Sequence, residues 1–475
     1  MRDGGSVKER VLRSGMWVGV SQFLVSLLNI VRSVVLARLL TPEMFGLMGL
    51  ASIAIQTIEN VTRPGVGQAL IARQREFEDA SGTAFTLLVL RGVLLAFVIV
   101  VVAPWIADFY EAEELAPMMR ALCFVFLIGS LANINTIALS RQLEFRQLTY
   151  LGQVTNLAGT LGTIYFAYAL RSAWALVFGQ ILSITINTGL SYWFIKGRLR
   201  FTFNRAVARE LLTYGRFITG SSIIVFVATQ IDSAVIGKWL GTHELGLYTL
   251  AATISSLVTL SISRMASSVM MPAYSRLQED RPALRRAFLR TLTLVMFVVL
   301  PASFGLIVAA DSIVGVVYGE QWVGAVVPLQ ILAIFGIVRT FNSFTGYLFE
   351  GVGKPKIPFY FGIIRLSVIA PLIIPMIYYM GLSGAAITVT IGSSVQWVIG
   401  LRFLRTELEM PVKDVLSAMW RPLWTAGTMA LGVKAIAMIV DQQSIAGLAT
   451  MIVAGVVLYV ALNIRFVMAL RHERF

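Results

Sequence analysis

The sequence predicts an all-α polytopic membrane protein of about fourteen transmembrane helices: two parallel six-helix lobes and two C-terminal helices. Three observations carry this expectation. Only 13% of the 475 residues are charged, about half the ~25% usual for a soluble domain. The apolar residues, 57% of the chain, recur in runs of about 20, the length that crosses a ~30 Å hydrocarbon core. The basic residues collect in alternate connections between those runs. The first run, Gly15 to Ala37, is too long for a cleavable leader and no small-residue cleavage site follows it, so it counts as a span.

The spans fall at about 14–37, 45–70, 83–107, 117–138, 149–169, 172–195, 214–237, 246–270, 289–309, 326–349, 358–380, 383–404, 420–440 and 446–468. The second and eighth are long, with irregular inner ends expected near Pro64 and Pro272. With both termini cytoplasmic, 28 of the 39 Lys and Arg lie in inner segments and three (Arg38, Arg171, Lys238) in outer ones. That asymmetry is the positive-inside pattern. It attributes the +14 net charge to anionic lipid rather than to nucleic acid.

Residues 14–52 and 214–252 align without a gap at an offset of 200, with ten identities, among them Gly15/Gly215, Ser33/Ser233, Leu40/Leu240, Gly46/Gly246 and Ala51/Ala251. Trp105 to Tyr110 and Ser312 to Tyr318 read as equivalent ends of the third and ninth spans. Six spans separate the repeats, and an even number preserves orientation, so the halves are parallel repeats of the kind found in rocking transporters. The organisation expected is an N-terminal lobe (1–195), a cytoplasmic linker (196–213), a C-terminal lobe (214–404), and spans thirteen and fourteen with the tail (405–475). Within that linker region, Arg205 to Tyr214 reads either as a short interfacial helix or as plain linker.

A charge at mid-bilayer costs from ~2.5 to over 10 kcal/mol, so deep charges face a polar cavity or a partner. Arg120 and Arg216 sit near span ends and can snorkel. Arg91, Arg264 and Arg365 lie about a quarter of the way in from the cytoplasm, and Lys434 lies nearer the outside. Arg32, Glu59, Asp232 and Arg339 are deeper, and Asp232 is the near repeat-equivalent of Arg32. One reading is a buried ion pair, for instance Arg32 with Asp232, that fixes lobe packing. The other is a cationic cavity formed by Arg32, Arg339, Arg264, Arg91 and Arg365, with Glu59 and Asp232 responding to H⁺ or Na⁺ as coupling ions or gates. Guanidinium groups bind phosphate bidentately and stay charged, so such a cavity suits an anionic or phosphorylated cargo.

Much is excluded. The Gly-Lys pairs, Gly237-Lys238 and Gly353-Lys354, lie outside any G-x-x-x-x-G-K-[ST], and neither H-E-x-x-H nor G-x-S-x-G occurs. These motifs and the short loops predict a transporter rather than an enzyme, without cofactor. The single cysteine, Cys123, permits no internal disulfide, and His243 and His472 predict no metal site. Gly15-x-x-x-Gly19, Gly237-x-x-x-Gly241 and Gly315-x-x-x-Gly319 read as close helix packing.

Four stretches carry a family resemblance: Arg32 to Leu47 (RSVVLARLLTPEMFGL), Asp232 to Ala251 (DSAVIGKWLGTHELGLYTLA), Pro272 to Asp280 (PAYSRLQED) and Glu350 to Lys356 (EGVGKPK). The chain resembles the Wzx-type polysaccharide-repeat flippases of the multidrug/oligosaccharidyl-lipid/polysaccharide exporter superfamily. The resemblance implies a bacterial inner-membrane protein that moves undecaprenyl-diphosphate-linked oligosaccharide by alternating access, sufficient as a monomer. It places Arg32 at the first-helix arginine position that lipid-linked precursor flippases use near the diphosphate. The alternatives are an ion-coupled multidrug exporter of the same superfamily, a polysaccharide polymerase or ligase, and a membrane scaffold. Fourteen spans and a predominance of deep arginines over acids stand against the first. The lack of a large outer loop stands against the second.

Overall fold

A computed structural model describes residues 25–62, 66, 70, 77–141, 145–195 and 201–464. Among them the chain is helical throughout: α1 (25–39), α2 (Pro42–Val61), α3 (Phe77–Tyr110), α4 (Leu115–Ser130), α5 (Asn135–Arg141), α6 (Phe145–Leu170), α7 (Trp174–Phe194), α8 (Arg205–Trp239), α9 (Gly241–Arg276), α10 (Arg281–Ser312), α11 (Val326–Gly351), α12 (Lys356–Leu408), α13 (Val412–Ala437) and α14 (Ile445–Leu462). In hydrocarbon every backbone amide needs an internal partner, which only helices and closed barrels provide. Among the described residues, six helices are long and apolar enough to cross a membrane. One of these, α12, holds two expected spans. Gly381 breaks it with φ +56°, a left-handed conformation that glycine adopts without penalty. The turn is tight: a Cβ on Gly384 would lie 2.0 Å from the Met376 carbonyl oxygen.

Local chemistry sets several helix ends. Asn204 caps α8 by accepting from the Ala206 and Val207 amides. Asp280 caps α10 through the Ala283 amide, ahead of Pro282 at its first turn. Ser444 caps α14 through Gly447. Such caps each contribute about 0.5–2 kcal/mol. The stretch from Arg205 to Tyr214 is not a separate helix; it is the N-terminal part of α8, which runs unbroken to Trp239. The helix α9 likewise continues through Pro272 to Arg276, as transmembrane helices do when neighbouring groups satisfy the carbonyl freed by proline. Pro64 lies outside the described residues. The connection near 310–325 is ordered as a π-helical turn (Ile313–Tyr318) and a 3₁₀ turn (Glu320–Ala325) that sinks Trp322 completely.

The contacts divide the chain into two compact units, 1–246 and 247–475. In the first, α3 packs on α4, α6 on α7, α4 on α7, and α2 on α8. Small residues permit the close approaches: Gly92 sits against Ser130, Gly159 against Ser183 and Gly179 against Thr163. Tight backbone approach is what drives helix association where lipid offers no hydrophobic gain. Gly237 is packed on Leu50 in the same way, whereas Gly315 faces open space; Gly15 and Gly19 lie outside the described residues. In the second unit, α10 packs on α11, α13 and α14, and α11 packs on α12. Its core is continuous and aromatic, with Phe349, Phe361 and Phe403 mutually edge-on at 5.7–6.4 Å. Three ion pairs (Arg281–Glu409, Arg285–Asp414 and Lys354–Glu407) join the ends of its helices. Each is worth at most about 1 kcal/mol at an exposed site.

Exposed aromatics mark helix ends: Trp105 and Phe109 on α3, Tyr165 and Tyr168 on α6, Trp193 on α7, and Tyr378 and Tyr379 beside Gly381. This is the distribution of interfacial aromatic belts.

The N-termini of α2 and α9 meet inside the first unit in a reciprocal contact. A Cβ on Gly46 would lie 1.8 Å from the Thr242 carbonyl oxygen, and one on Gly246 would lie 1.8 Å from that of Pro42. Glu43 Oε1 and His243 Nδ1 pair across the same seam at 2.5 Å. All three relations follow the 200-residue repeat: 46 meets 242, its equivalent 246 meets 42, and 43 meets its own equivalent 243. Beside the seam, Lys238 Nζ donates to Glu111 Oε1 at 2.7 Å. This partner lowers the Glu111 carboxyl below its ordinary range. The pairing is therefore present above the ordinary carboxylate range and lost as pH falls through the lowered value. Both ends of the pair reach solvent, so Glu111→Gln is expected to change the melting temperature little at pH 7. That small difference should vanish in acid, as a thermal melt at pH 7 and pH 3 would show.

Candidate anion-binding site and a second polar cavity

The deep arginines converge only in part. Arg339 on α11 and Arg365 on α12 line one cavity of about 220 Å³ in the second unit, with Asn342, Ser343, Tyr347 and Gln396. Both guanidinium carbons lie over the Phe335 ring, 5.3 and 5.5 Å from its centroid. A ring face stabilises a cation by ~0.5–2 kcal/mol, which offsets part of the repulsion between two guanidiniums held together. Arg339 also donates to the Thr259 hydroxyl on α9 at 2.6 Å. Gly336 packs closely beside that bond: a Cβ there would lie 3.0 Å from the Thr259 methyl and 3.4 Å from the Ser255 hydroxyl. Asn342 donates to the Ser393 carbonyl at 2.9 Å and fixes α11 on α12. Glu350 also lines the cavity, leaving two arginines to one carboxylate.

Six of these positions form a stripe on one face of α11: Arg339, Asn342, Ser343, Gly346, Tyr347 and Glu350. The spacing of three and four is one helical face. Sequence reasoning had Arg339 alone, although the stripe was there to be read in a segment otherwise apolar. Gly346 has no heavy atom within 4 Å of where a Cβ would stand, so it leaves cavity space open.

Glu59 and Arg91 meet elsewhere, in a cavity of about 390 Å³ in the first unit. Arg91 donates from Nε to the Thr62 carbonyl at 3.1 Å and from a terminal nitrogen to the Glu59 carbonyl at 3.0 Å. It thereby satisfies carbonyls left open where α2 ends. Arg32 is half-buried on α1 and makes no hydrogen bond or ion pair with any described residue, so an Arg32–Asp232 pair is not formed. Asp232 is buried on α8, at 9% exposure. The side chains of Arg264 and Arg216 lie outside the described residues. Arg120 and Lys434 are exposed on their helices. Cys123 is buried and unpaired. Among the described residues no group of three or more metal-ligating side chains forms.

Long apolar helices and internal polar cavities define a multi-pass membrane transporter fold. The likeness to solved structures agrees. A lipid II flippase, MurJ, in an inward closed conformation matches with a TM-score of 0.75 at 16% identity, over 96% of this chain and all of that one. An inward-facing multidrug resistance transporter of the MATE family matches with a TM-score of 0.64 at 18% identity, over 82% and 98%. The family described as polysaccharide biosynthesis protein matches residues 35–327, and the chain belongs to it. Among similar proteins, the teichuronic acid biosynthesis protein TuaB of Bacillus subtilis is 26% identical, covering 97% of this chain and 96% of its own. The lipopolysaccharide biosynthesis protein WzxC of Escherichia coli is 24% identical, covering 88% and 86%.

Proposed function

We propose that this protein flips undecaprenyl-diphosphate-linked oligosaccharide across the bacterial cytoplasmic membrane for surface polysaccharide synthesis, with both termini in the cytoplasm. The observation that carries the reading is the pair Arg339 and Arg365 on the single ring of Phe335. Two guanidiniums lining one cavity offer N–H donors to a diphosphate and replace its hydration shell. The cavity is smaller than the ~300 Å³ from which drug-sized pockets begin, which favours a compact anion over the bulky cations of a multidrug exporter. Arg32 on α1 and Arg264 on α9 are further candidates to meet the diphosphate as the headgroup passes. The polyprenyl tail stays in lipid, and rocking of the lobes 1–195 and 214–404 exposes the headgroup outside. A charge change at Asp232 on binding H⁺ or Na⁺ biases that rocking. One chain suffices for the cycle, and no chemical step is needed.

The test is the leaflet distribution of lipid-linked oligosaccharide in a deletion strain. Accumulation on the cytoplasmic side, reversed by the wild-type gene, is expected. An unchanged pool with normal surface glycan would remove the flippase reading and favour drug export.

A further inference from the structure

The geometry points to the first-unit cavity as a carbohydrate subsite, reading the sugar residues of the cargo rather than its diphosphate; this rests on the flippase reading. Its polar wall is a second helical stripe: Ser52, Gln56 and Glu59 on α2, faced by Arg91 on α3, Phe126 on α4 and Gln180 on α7. Neither the Gln56 nor the Gln180 carboxamide, nor the Ser52 hydroxyl, hydrogen-bonds to any described residue. Polar side chains inside a membrane bundle need partners, so these groups are served by water or by a ligand.

The chemistry of the wall narrows the ligand. Glu59 and Arg91 cancel in charge, so the cavity is neutral overall, unlike the cationic site of the second unit. An ionised carboxylate only accepts, a guanidinium only donates, and a carboxamide does both. That mixture matches hydroxyls, each of which donates and accepts. Phe126 supplies an apolar face for the C–H side of a pyranose. A phosphate would meet the Glu59 carboxylate, and a lipophilic cation would meet Arg91. A bare coupling ion needs little more than the ~30 Å³ share of one water, against about 390 Å³ here. Pockets for small organic ligands occupy ~300–1,000 Å³.

The experiment uses the full-length protein in lipid nanodiscs and two probes: inorganic pyrophosphate, and the oligosaccharide released by mild acid from the strain's own lipid-linked pool. Gln56→Ala/Gln180→Ala should weaken oligosaccharide binding at least ~10-fold and leave pyrophosphate binding at the wild-type value, which also shows that the variant is folded. Arg365→Ala should do the reverse. Equal oligosaccharide binding by wild type and the glutamine variant overturns the subsite. So does wild-type protein that binds pyrophosphate but no oligosaccharide, and in that case flipping in the deletion strain still stands. Wild-type protein that binds neither probe, together with an unchanged lipid-linked pool, removes the flippase reading itself. Protection of the cavity by Na⁺ alone makes it an ion site and also overturns the proposal.

Discussion

Arg339→Ala is expected to abolish transport while leaving the protein inserted and at least as heat-stable as wild type. The two halves of this result have one cause. Arg339 and Arg365 crowd the same ring and cavity, a like-charge arrangement that costs stability until an anion arrives. Removing one guanidinium relieves the repulsion and also removes the fork that holds a diphosphate. Truncating one side of a buried charged hydrogen-bonded pair typically costs 2–5 kcal/mol, or about 30-fold to several thousand-fold in affinity. Lysine cannot substitute, because a point charge lacks the planar fork. Arg339→Lys should therefore recover little, and a pyrophosphate titration beside a thermal melt would measure both halves. An alanine variant that loses heat stability along with transport would make Arg339 a packing residue instead.

The second large effect is expected at the α2–α9 seam. In Gly46→Ala the new Cβ meets the Thr242 carbonyl, and in Gly246→Ala it meets that of Pro42, each at 1.8 Å. The backbones must retreat by more than about 1 Å to reach even a 3.0 Å contact. Overpacking of this kind costs ~1–3 kcal/mol, and each single variant should lose transport. The double variant should cost much less than the sum, because one retreat makes room for both methyls. A double-mutant cycle on the purified protein decides this; strict additivity would mean that the two glycines do not share one motion.

The helices were legible because hydrocarbon leaves so little choice. Runs of about 20 apolar residues had to become helices, and a short break at Gly381 had to turn the chain between two of them. What sequence could not place was the tertiary grouping of charges. Arg339 and Arg365 are separated by the end of α11 and the start of α12, and they meet because both side chains reach the ring of Phe335. Arg91 shows the limit most plainly. Its depth suggested a cavity-lining charge, but not that two of its donors go to the carbonyls of Glu59 and Thr62, a need that arises only once α2 is seen to stop there. The polar stripes on α2 and α11 were legible at helical spacing, and they mark the two cavities better than depth alone.

The reciprocal seam has a meaning beyond packing. When two identical subunits meet about a two-fold axis, residue i of one touches residue j of the other, and j touches i in return. Positions 42, 43 and 46 obey that rule with 242, 243 and 246, although all six belong to one chain. The chain thus holds within itself a contact of the kind that a homodimer makes between two subunits. Because both sides lie in one chain they need not be identical, and a glutamate stands where its counterpart is a histidine, a pairing that two identical halves could not make at a single position.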